Sequence, residues 1–256
     1  MKLLGLTQRA FMASPLSVRG TIRSVFHRGS VSSSYSASAS SAGLKWEGGV
    51  SMVQGASRGI GLEFDSAKLI TEKYGSLNLL INASGILSIP DVLQPETTLT
   101  KVEKSSLLLA YEVNAVGPIL VIKHMWPLLK AGGGTKREVA IVANLSARVG
   151  SIGDNRLGGW HSYRASKSAL NQLTKTVSVE FARKKDPIAC ILLHPGTVDT
   201  DLSKPFQRNV PEGKLFTKEY SVQRLLGIID NAKRQDNGKF FAWDGQEVPW
   251  SLTWKK

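Results

Sequence analysis

The stretch VSMVQGASRGIG, residues 50–61, joins a short apolar run to a glycine-rich loop. The apolar run predicts a buried strand, and the residues that follow Gly61 have the spacing of a helix. Glycines between a strand and a helix permit a tight turn and let the backbone approach a pyrophosphate, whose charge the helix N-terminus stabilises. The stretch therefore predicts a dinucleotide-binding loop in an α/β fold, with an ordinary glycine turn as the alternative.

Beyond this loop, apolar runs alternate with helical patterns, and the chain has no internal repeats. The runs lie at 77–82, 139–143, 188–193 and 239–243, and helical spacing covers 104–129 and 163–184, with a bend expected at Pro118. Strands that alternate with helices predict a parallel sheet with helices on both faces. Such folds bind ligands beyond the carboxyl ends of their strands, where the conspicuous motifs of this chain lie.

A second constellation begins at Tyr163 and Lys167, four residues apart on the predicted helix 163–184. This spacing puts the phenol and the ammonium on one face. A positive charge beside a phenol favours the phenolate, so we expect Lys167 to lower the pKa of Tyr163 toward the working range of an acid–base catalyst. The pair is common by chance, but here it accompanies Ser146 at a predicted strand end and the turn HPGTVDT, residues 194–200.

Together these motifs resemble those of the classical short-chain dehydrogenase/reductases, and more closely their small carbonyl-reductase branch, which includes the sniffer-like and C-factor-like proteins. The resemblance covers the chain from about Gly49 to Trp250. The motifs that carry it are GASRGIG (55–61), INASG (81–85), VNAVG (113–117), NLSARVGSIG (144–153), YRASK (163–167) and PGTVDTDL (195–202).

The resemblance implies a hydride transfer between NAD(P)(H) and a carbonyl or alcohol substrate. Tyr163 would protonate the carbonyl oxygen, Lys167 would hold the nicotinamide ribose, and Asn114 would anchor a proton-relay water. Residues 199–217 would cover the substrate. Arg58 could pair with a 2′-phosphate, which favours NADP(H) over NAD(H). The residues implied in cofactor binding are Gly55, Ser57, Arg58, Gly59, Ile60, Gly61, Asn82, Ala83, Gly85, Pro195, Gly196, Thr197 and Val198.

One departure from the family concerns the catalytic serine. The family usually has two serines after the strand and uses the second, but this chain has Ser146 followed by Ala147. Ser146 is our candidate for the missing hydroxyl, and Ser151 is the alternative.

A larger departure is the short distance of 21 residues from Gly61 to Asn82. One βαβ unit needs about 30 residues or more, and the family places three crossovers in this interval. We therefore predict an internal deletion near residues 62–66 that removes the family's strands 2 and 3. The expected fold is a shortened Rossmann-type doubly wound sheet with the strand order 1-4-5-6-7 in the family's numbering. A right-handed crossover from strand 1 to strand 4 would put the connecting helix on the face opposite to the usual dinucleotide helix.

The first 45 residues differ in composition from the rest of the chain. They contain six of the basic residues, eleven serines and no acidic residue. Such a composition predicts a disordered transit peptide, with a mitochondrial address favoured and a plastid as the alternative. A merely flexible basic tail also fits it. The organellar reductase domain would then comprise residues 46–256.

Composition also excludes several classes of function. The net charge is +13, but outside the first 45 residues it is +7 and forms no basic block, which argues against nucleic-acid binding. The single cysteine, Cys190, is predicted to be a buried core thiol, and the four scattered histidines have no zinc-ligand spacing. We expect no metal, and no run approaches the roughly 18 apolar residues of a membrane span.

Two functions from different classes remain open. The first is an organellar NADP(H)-dependent reductase of a small-molecule carbonyl compound. The second is a catalytically weak or inactive short form that acts as a non-enzymatic partner of full-length subunits. Homo-oligomers would form through the helices 104–129 and 163–184.

Overall fold

The computed structural model describes residues 49–54 and 72–250, together with the backbone of residues 27–28. Its main sheet has the spatial order β1-β2-β3-β4-β5-β8. All neighbours pair in parallel except β1, which pairs antiparallel with β2. The strands are β1 (His27–Arg28), β2 (Val50–Gln54), β3 (Leu79–Asn82), β4 (Ala140–Leu145), β5 (Ile188–His194), β6 (Thr197–Val198), β7 (Leu215–Phe216) and β8 (Phe240–Ala242), with β6 and β7 forming a separate parallel pair.

The longer helices of the described residues are α1 (Lys104–Tyr111), α2 (Gly117–Gly132), α3 (His161–Arg183) and α4 (Lys218–Asn231). The helix predicted over 104–129 is thus divided, because a π-helical segment, Glu112–Val116, joins α1 to α2. The sequence predicts a bend at Pro118, and the irregular π-helical segment lies directly before this residue. Pro118 itself lies in the first turn of α2, where a missing N–H is tolerated. The helix predicted over 163–184 is α3, which starts two residues earlier.

The doubly wound architecture is confirmed by the position of the core on both faces of the sheet. On one face, α2 and α3 bury Val121, Met125 and Phe181 against strand residues such as Val142. On the other, α4 buries Leu225 and Ile229 against alternate residues of the same strands. Successive side chains of a strand point to opposite faces, so each strand contributes residues to the core on both sides of the sheet. Cys190 is fully buried in β5, which confirms its assignment to the core.

The predicted strand order is also confirmed. The strands that correspond to the family's 1, 4, 5, 6 and 7 are β2, β3, β4, β5 and β8, and β2 pairs directly with β3 from Ser51↔Leu79 to Gln54↔Asn82. Most of the connection between β2 and β3, including residues 62–66, lies outside the described residues. At its described end, the side chain of Tyr74 packs on the face that α2 and α3 cover. The handedness of the whole crossover stays a prediction.

The outer edge of β2 is partly covered by a segment that the sequence predicts to be disordered. His27 pairs with Ser51 and Arg28 with Val50. The other residues of the predicted transit peptide lie outside the described residues. Val53, near the end of β2, has 37% of its surface exposed.

One helical stretch, Lys104–Gly132, is long and apolar enough to cross a bilayer by length and composition. The core helix of a globular domain can have the same length and apolar composition, so one such stretch is weak evidence for a membrane span. Here the inward side chains Val121, Ile122, Met125 and Leu129 are at most 1% exposed and pack on the sheet. The inner face of α2 is therefore part of the core of this fold.

Candidate active site

The helix α3 presents Tyr163 and Lys167 at the carboxyl edge of the sheet. The Lys167 side chain is 3% exposed, and its Nζ donates a hydrogen bond of 2.9 Å to the carbonyl of Leu145, the last residue of β4. The same Nζ lies 5.8 Å from the centre of the Tyr163 ring. The structure therefore brings the two residues together on one helix face, as their spacing predicts.

The effect of Lys167 on Tyr163 is not the one predicted from the sequence. Burial raises the pKa of Tyr163 to about 12, because a phenolate would lose its hydration, so the prediction of a lowered pKa is wrong. Burial also lowers the pKa of Lys167 to about 8. The ammonium is directed at the Leu145 carbonyl, so its charge does not offset the desolvation of the phenolate. At neutral pH, Tyr163 keeps its proton and Lys167 remains largely charged.

Asn114 occupies the π-helical segment between α1 and α2 and is fully buried. Its Oδ1 accepts a 2.7 Å hydrogen bond from the Ile86 N–H, and its Nδ2 donates to the Ile86 carbonyl and to Ser166 Oγ at 2.9 Å each. An asparagine is a poor helix former because its amide competes for backbone groups, and here it bonds the backbone of another segment. Asn114 thus ties the loop after β3 to α3.

Gly85 lies between Asn114 and Lys167. A Cβ at this position would be 3.3 Å from Asn114 Oδ1 and 3.3 Å from Lys167 Nζ. A side chain at this position would therefore press on both polar groups, so the close approach of the loop after β3 to α3 depends on glycine. The structure thus brings together Gly85, Asn114, Tyr163 and Lys167, which the sequence places on three separate segments.

Ser146 is directed into the protein. It is 4% exposed, and its Oγ donates a 2.6 Å hydrogen bond to Oδ1 of Asn171, one helical turn after Lys167. The alternative candidate, Ser151, is 2% exposed and donates to the Pro249 carbonyl at 2.6 Å. Both hydroxyl protons are therefore engaged in internal hydrogen bonds. Ala147, which stands at the family's catalytic serine position, has no hydroxyl to offer.

The amide of Asn82 is buried at the end of β3, and its role in cofactor binding stays a prediction. Its Nδ2 donates to Asn144 Oδ1 at 2.8 Å, and Asn144 in turn donates to Thr174 Oγ1 of α3 at 2.8 Å. This buried network holds β3, β4 and α3 together. Ala83, the next residue, is exposed beyond the carboxyl end of β3.

The turn after β5 contains the other predicted cofactor residues, Pro195, Gly196, Thr197 and Val198. Gly196 has φ +78°, and a Cβ there would lie 2.5 Å from the Phe216 ring, so only glycine fits. The Pro195 carbonyl accepts from Ser221 Oγ at 2.9 Å. Thr197 and Val198 form β6, whose pairing with β7 brings together the two ends of the segment 199–217.

That segment also reaches the neighbourhood of Tyr163. Phe206 packs on Trp160 with ring centres 5.0 Å apart, and Trp160 meets the Tyr163 ring edge-on at 6.2 Å. Sequence reasoning missed Trp160 and Phe206, and it missed Glu96, a buried carboxylate bonded to Ser162 beside Tyr163. The paired glycines Gly158 and Gly159 were the available signal of an unusual turn at this point.

The glycine-loop residues lie outside the described residues, so their part in cofactor binding stays a prediction. They are Gly55, Ser57, Arg58, Gly59, Ile60 and Gly61. Within the described part of the chain, no group of three or more His, Cys, Asp or Glu side chains could hold a metal ion.

A family model described as "short chain dehydrogenase" matches residues 64–211. Among curated relatives, an uncharacterised oxidoreductase of Schizosaccharomyces pombe is 37% identical over 149 residues, which cover 54% of this chain and 56% of the relative. The chain thus spans little more than half the length of that protein. C-signal of Myxococcus xanthus is 31% identical over 176 residues, which cover 69% of this chain and 94% of that protein.

Two solved structures resemble the described fold to the same degree. They are an NADPH-bound carbonyl reductase from chicken fatty liver and the carbonyl reductase Sniffer of Drosophila melanogaster. Each has a TM-score of 0.64 and 30% identity, with 75% of this chain and 74% of the other covered. The resemblance to the sniffer-like and C-factor-like branch is thereby confirmed.

Proposed function

The chain belongs to the short-chain dehydrogenase family, and on this basis we propose that it transfers a hydride between NADP(H) and the carbonyl group of a small-molecule substrate. The observation that carries the proposal is the arrangement of Tyr163, Lys167, Asn114 and Gly85 at the carboxyl edge of a parallel sheet, where such folds bind their ligands.

The described residues fit the nicotinamide half of the cofactor. Lys167 Nζ and Asn114 Oδ1 both lie beside Gly85, and they are a donor and an acceptor of the kinds that would bind ribose hydroxyls. The tight turn at Gly196 would bring the backbone of Thr197 and Val198 to the carboxamide. The glycine loop at 55–61 would bind the pyrophosphate. Arg58 in that loop supports NADP(H) over NAD(H), and so does the NADPH bound to the chicken reductase.

When bound, NADPH would supply the hydride for reduction of the substrate's carbonyl carbon. Tyr163 donates its phenolic proton to the carbonyl oxygen, which becomes the hydroxyl of the product. Because its raised pKa keeps Tyr163 protonated at neutral pH, the donor is present in the required form. Lys167, charged at neutral pH and 5.8 Å from the centre of the Tyr163 ring, would hold the nicotinamide ribose, and Asn114 fixes α3 relative to the loop after β3.

The test is the effect of Tyr163→Phe on NADPH oxidation with a panel of aldehydes and ketones. We expect kcat to fall by at least about two orders of magnitude, since general acid catalysis contributes about 10²–10⁴-fold. Tyr111→Phe, on the exposed side of α1, is the matched control and should leave kcat unchanged. Full activity of Tyr163→Phe would rule out this mechanism.

A second candidate function is that of a catalytically weak partner of full-length subunits. The observation that favours it is Ala147 at the serine position, together with the internal hydrogen bonds of Ser146 and Ser151. The exposed side chains Leu108 and Tyr111 on α1 and Val179 on α3 offer apolar surface for association. Binding of NADPH by the purified chain without turnover, together with assembly with a full-length subunit in size-exclusion chromatography, would support this second function.

A further inference from the structure

A left-handed turn precedes the helix that presents Tyr163. Gly158, Gly159 and Trp160 have φ values of 65°, 65° and 53°. This conformation costs little for glycine but is strained for a bulky residue such as tryptophan. Surrounding contacts must therefore hold Trp160 in place.

The helix α3 also starts without the usual cap. Trp160 is its N-cap residue and makes no side-chain hydrogen bond to the first turn, where serine, threonine or aspartate would normally accept from a backbone N–H. The free N–H groups of the first turn and the positive end of the helix dipole need a partner from another segment.

Glu96 supplies that partner from a loop 66 residues earlier in the chain. Its side chain is 3% exposed. Oε2 accepts from the Ser162 N–H at 3.1 Å, and Oε1 accepts from the Ser162 hydroxyl. The Glu96 carbonyl accepts from the Trp160 N–H at 2.5 Å. A buried carboxylate thus caps the helix one residue before Tyr163.

Arg164 holds the turn from the other side. Its Nε donates to the carbonyls of Gly158 and Gly159 at 3.2 and 3.0 Å. With the turn held from both sides, the Trp160 ring stands edge-on to the Tyr163 ring, with an angle of 73° between the planes, and its other neighbour is Phe206. The same contacts fix the first turn of α3 and therefore the position of the Tyr163 backbone, from which the phenol extends.

We propose that Glu96 is a positioning residue for Tyr163. By capping α3 and holding the Gly158–Trp160 turn, it orients the phenol toward the substrate carbonyl without touching the substrate itself. This inference rests on the proposed role of Tyr163. A misplacement of about 1 Å at a reacting group can cost about a hundredfold in rate, so a remote cap of this kind can control kcat.

The test compares Glu96→Ala with Glu96→Gln in the full chain. Alanine removes the cap, and we expect kcat to fall at least about tenfold while the Kd for NADPH stays within about twofold, since the cofactor contacts are untouched. Glutamine can accept from the Ser162 N–H and donate to its hydroxyl, so it should restore most of kcat. Glu103→Gln, an exposed carboxylate at the start of α1, is the matched control.

An NMR measurement distinguishes this inference from the proposed function. In Glu96→Ala, the nuclear Overhauser contacts between the Trp160 and Tyr163 rings and the exchange protection of the Ser162 amide should be lost, and Glu96→Gln should keep both. If the unmutated chain shows no turnover but these contacts behave as expected, Glu96 still fixes the position of the Tyr163 ring and it is the proposed function that fails. Unchanged kcat and unchanged ring contacts in Glu96→Ala would overturn the inference.

If Glu96→Ala does not fold, Ser162→Ala provides a second test, because it removes one of the hydrogen bonds to Glu96. It should show smaller losses of kcat and of the ring contacts. No change in either would equally overturn the inference.

Discussion

At the scale of single residues, the Lys167 ammonium is costly to bury. Its pKa falls from an ordinary 10.5 to about 8 in the folded chain, so at neutral pH the folded state holds a charge that the unfolded state holds more easily. The lowered pKa corresponds to about 3 kcal/mol of lost stability. A buried lysine that lowers the stability of the fold is typical of a functional site, where activity often requires residues that are unfavourable for stability.

Lys167→Met should therefore stabilise the chain at pH 7 by about 1–3 kcal/mol, the lost hydrogen bond to Leu145 offsetting part of the gain. The difference should shrink as the pH rises from about 8 to 10.5, because the lysine is then neutral in both states. Urea unfolding of both proteins across this pH range would measure it. A Lys167→Met variant that is less stable at pH 7 would contradict the burial cost.

The serine position is the second feature at this scale. Ala147→Ser should place a hydroxyl at the family's catalytic position and raise kcat by about tenfold, because a donor near the carbonyl oxygen stabilises the charge that develops there. Steady-state kinetics with any accepted carbonyl substrate would measure the gain. An unchanged kcat would show that the chain does not use this position.

Ser146→Ala separates a structural serine from a catalytic one. We expect kcat within about twofold of the original value but a stability loss of about 1–3 kcal/mol, because the buried Oδ1 of Asn171 loses its donor. Thermal unfolding and kinetics on one preparation would decide the point. A large loss of kcat with unchanged stability would return Ser146 to the catalytic residues.

At the scale of elements, the approach of α2 to β3 depends on a glycine. A Cβ at Gly132, the last residue of α2, would lie 2.0 Å from the Leu77 carbonyl oxygen just before β3. Gly132 also accepts from Asn78 Nδ2 at 2.8 Å. The backbone of the helix end and the backbone before the strand are thus in direct contact, and neither can move aside without disturbing the sheet.

Gly132→Ala should destabilise the chain by about 2–3 kcal/mol, because backbone must shift to admit the methyl group. Gly227→Ala is the contrasting variant, since a Cβ at this position in α4 meets nothing within 4 Å. It should stabilise the chain by about 0.5–1 kcal/mol through helix propensity. Denaturant unfolding of both variants measures the change in the free energy of unfolding, which should be opposite in sign for the two. Equal changes would contradict the close contact at Leu77.

At the scale of the whole molecule, the short connection between β2 and β3 leaves β2 at the border of the parallel sheet. Its outer edge is paired only at Val50 and Ser51 in the described residues, and Val53 is 37% exposed. Among the described residues, the main sheet contains no counterpart of the strands that form the adenosine end of the site in the family. We expect these two features to lower the affinity for the cofactor and to promote association between chains.

We expect this chain to bind NADPH at least about a hundredfold more weakly than a low-micromolar Kd, because lost adenine and ribose contacts of a few kcal/mol convert to about two decades of affinity. The exposed edge should also promote association between chains. Calorimetric titration and light scattering measure the two effects. Val53→Lys should reduce association, and Val222→Lys on exposed α4 surface should not. A monodisperse chain with low-micromolar affinity would contradict this reading of the gap.

The sequence by itself determined the fold class and the Tyr163–Lys167 pair, which depend on local periodicity and on residues four apart in a helix, and short-range rules describe both well. The strand order followed from the resemblance to the family together with the short interval after Gly61. The same rules located the carboxyl ends of the strands, after which Gly85 and the 195–198 turn follow.

The tertiary structure decided what each of these groups does. The hydrogen bond of Ser146 to Asn171 spans 25 residues, and the Glu96 cap spans 66. The pKa of Tyr163 is raised because tertiary packing buries its phenol, and the Lys167 ammonium is directed at the Leu145 carbonyl. Such features follow from the packing of distant segments and the exclusion of water between them, which no local pattern encodes.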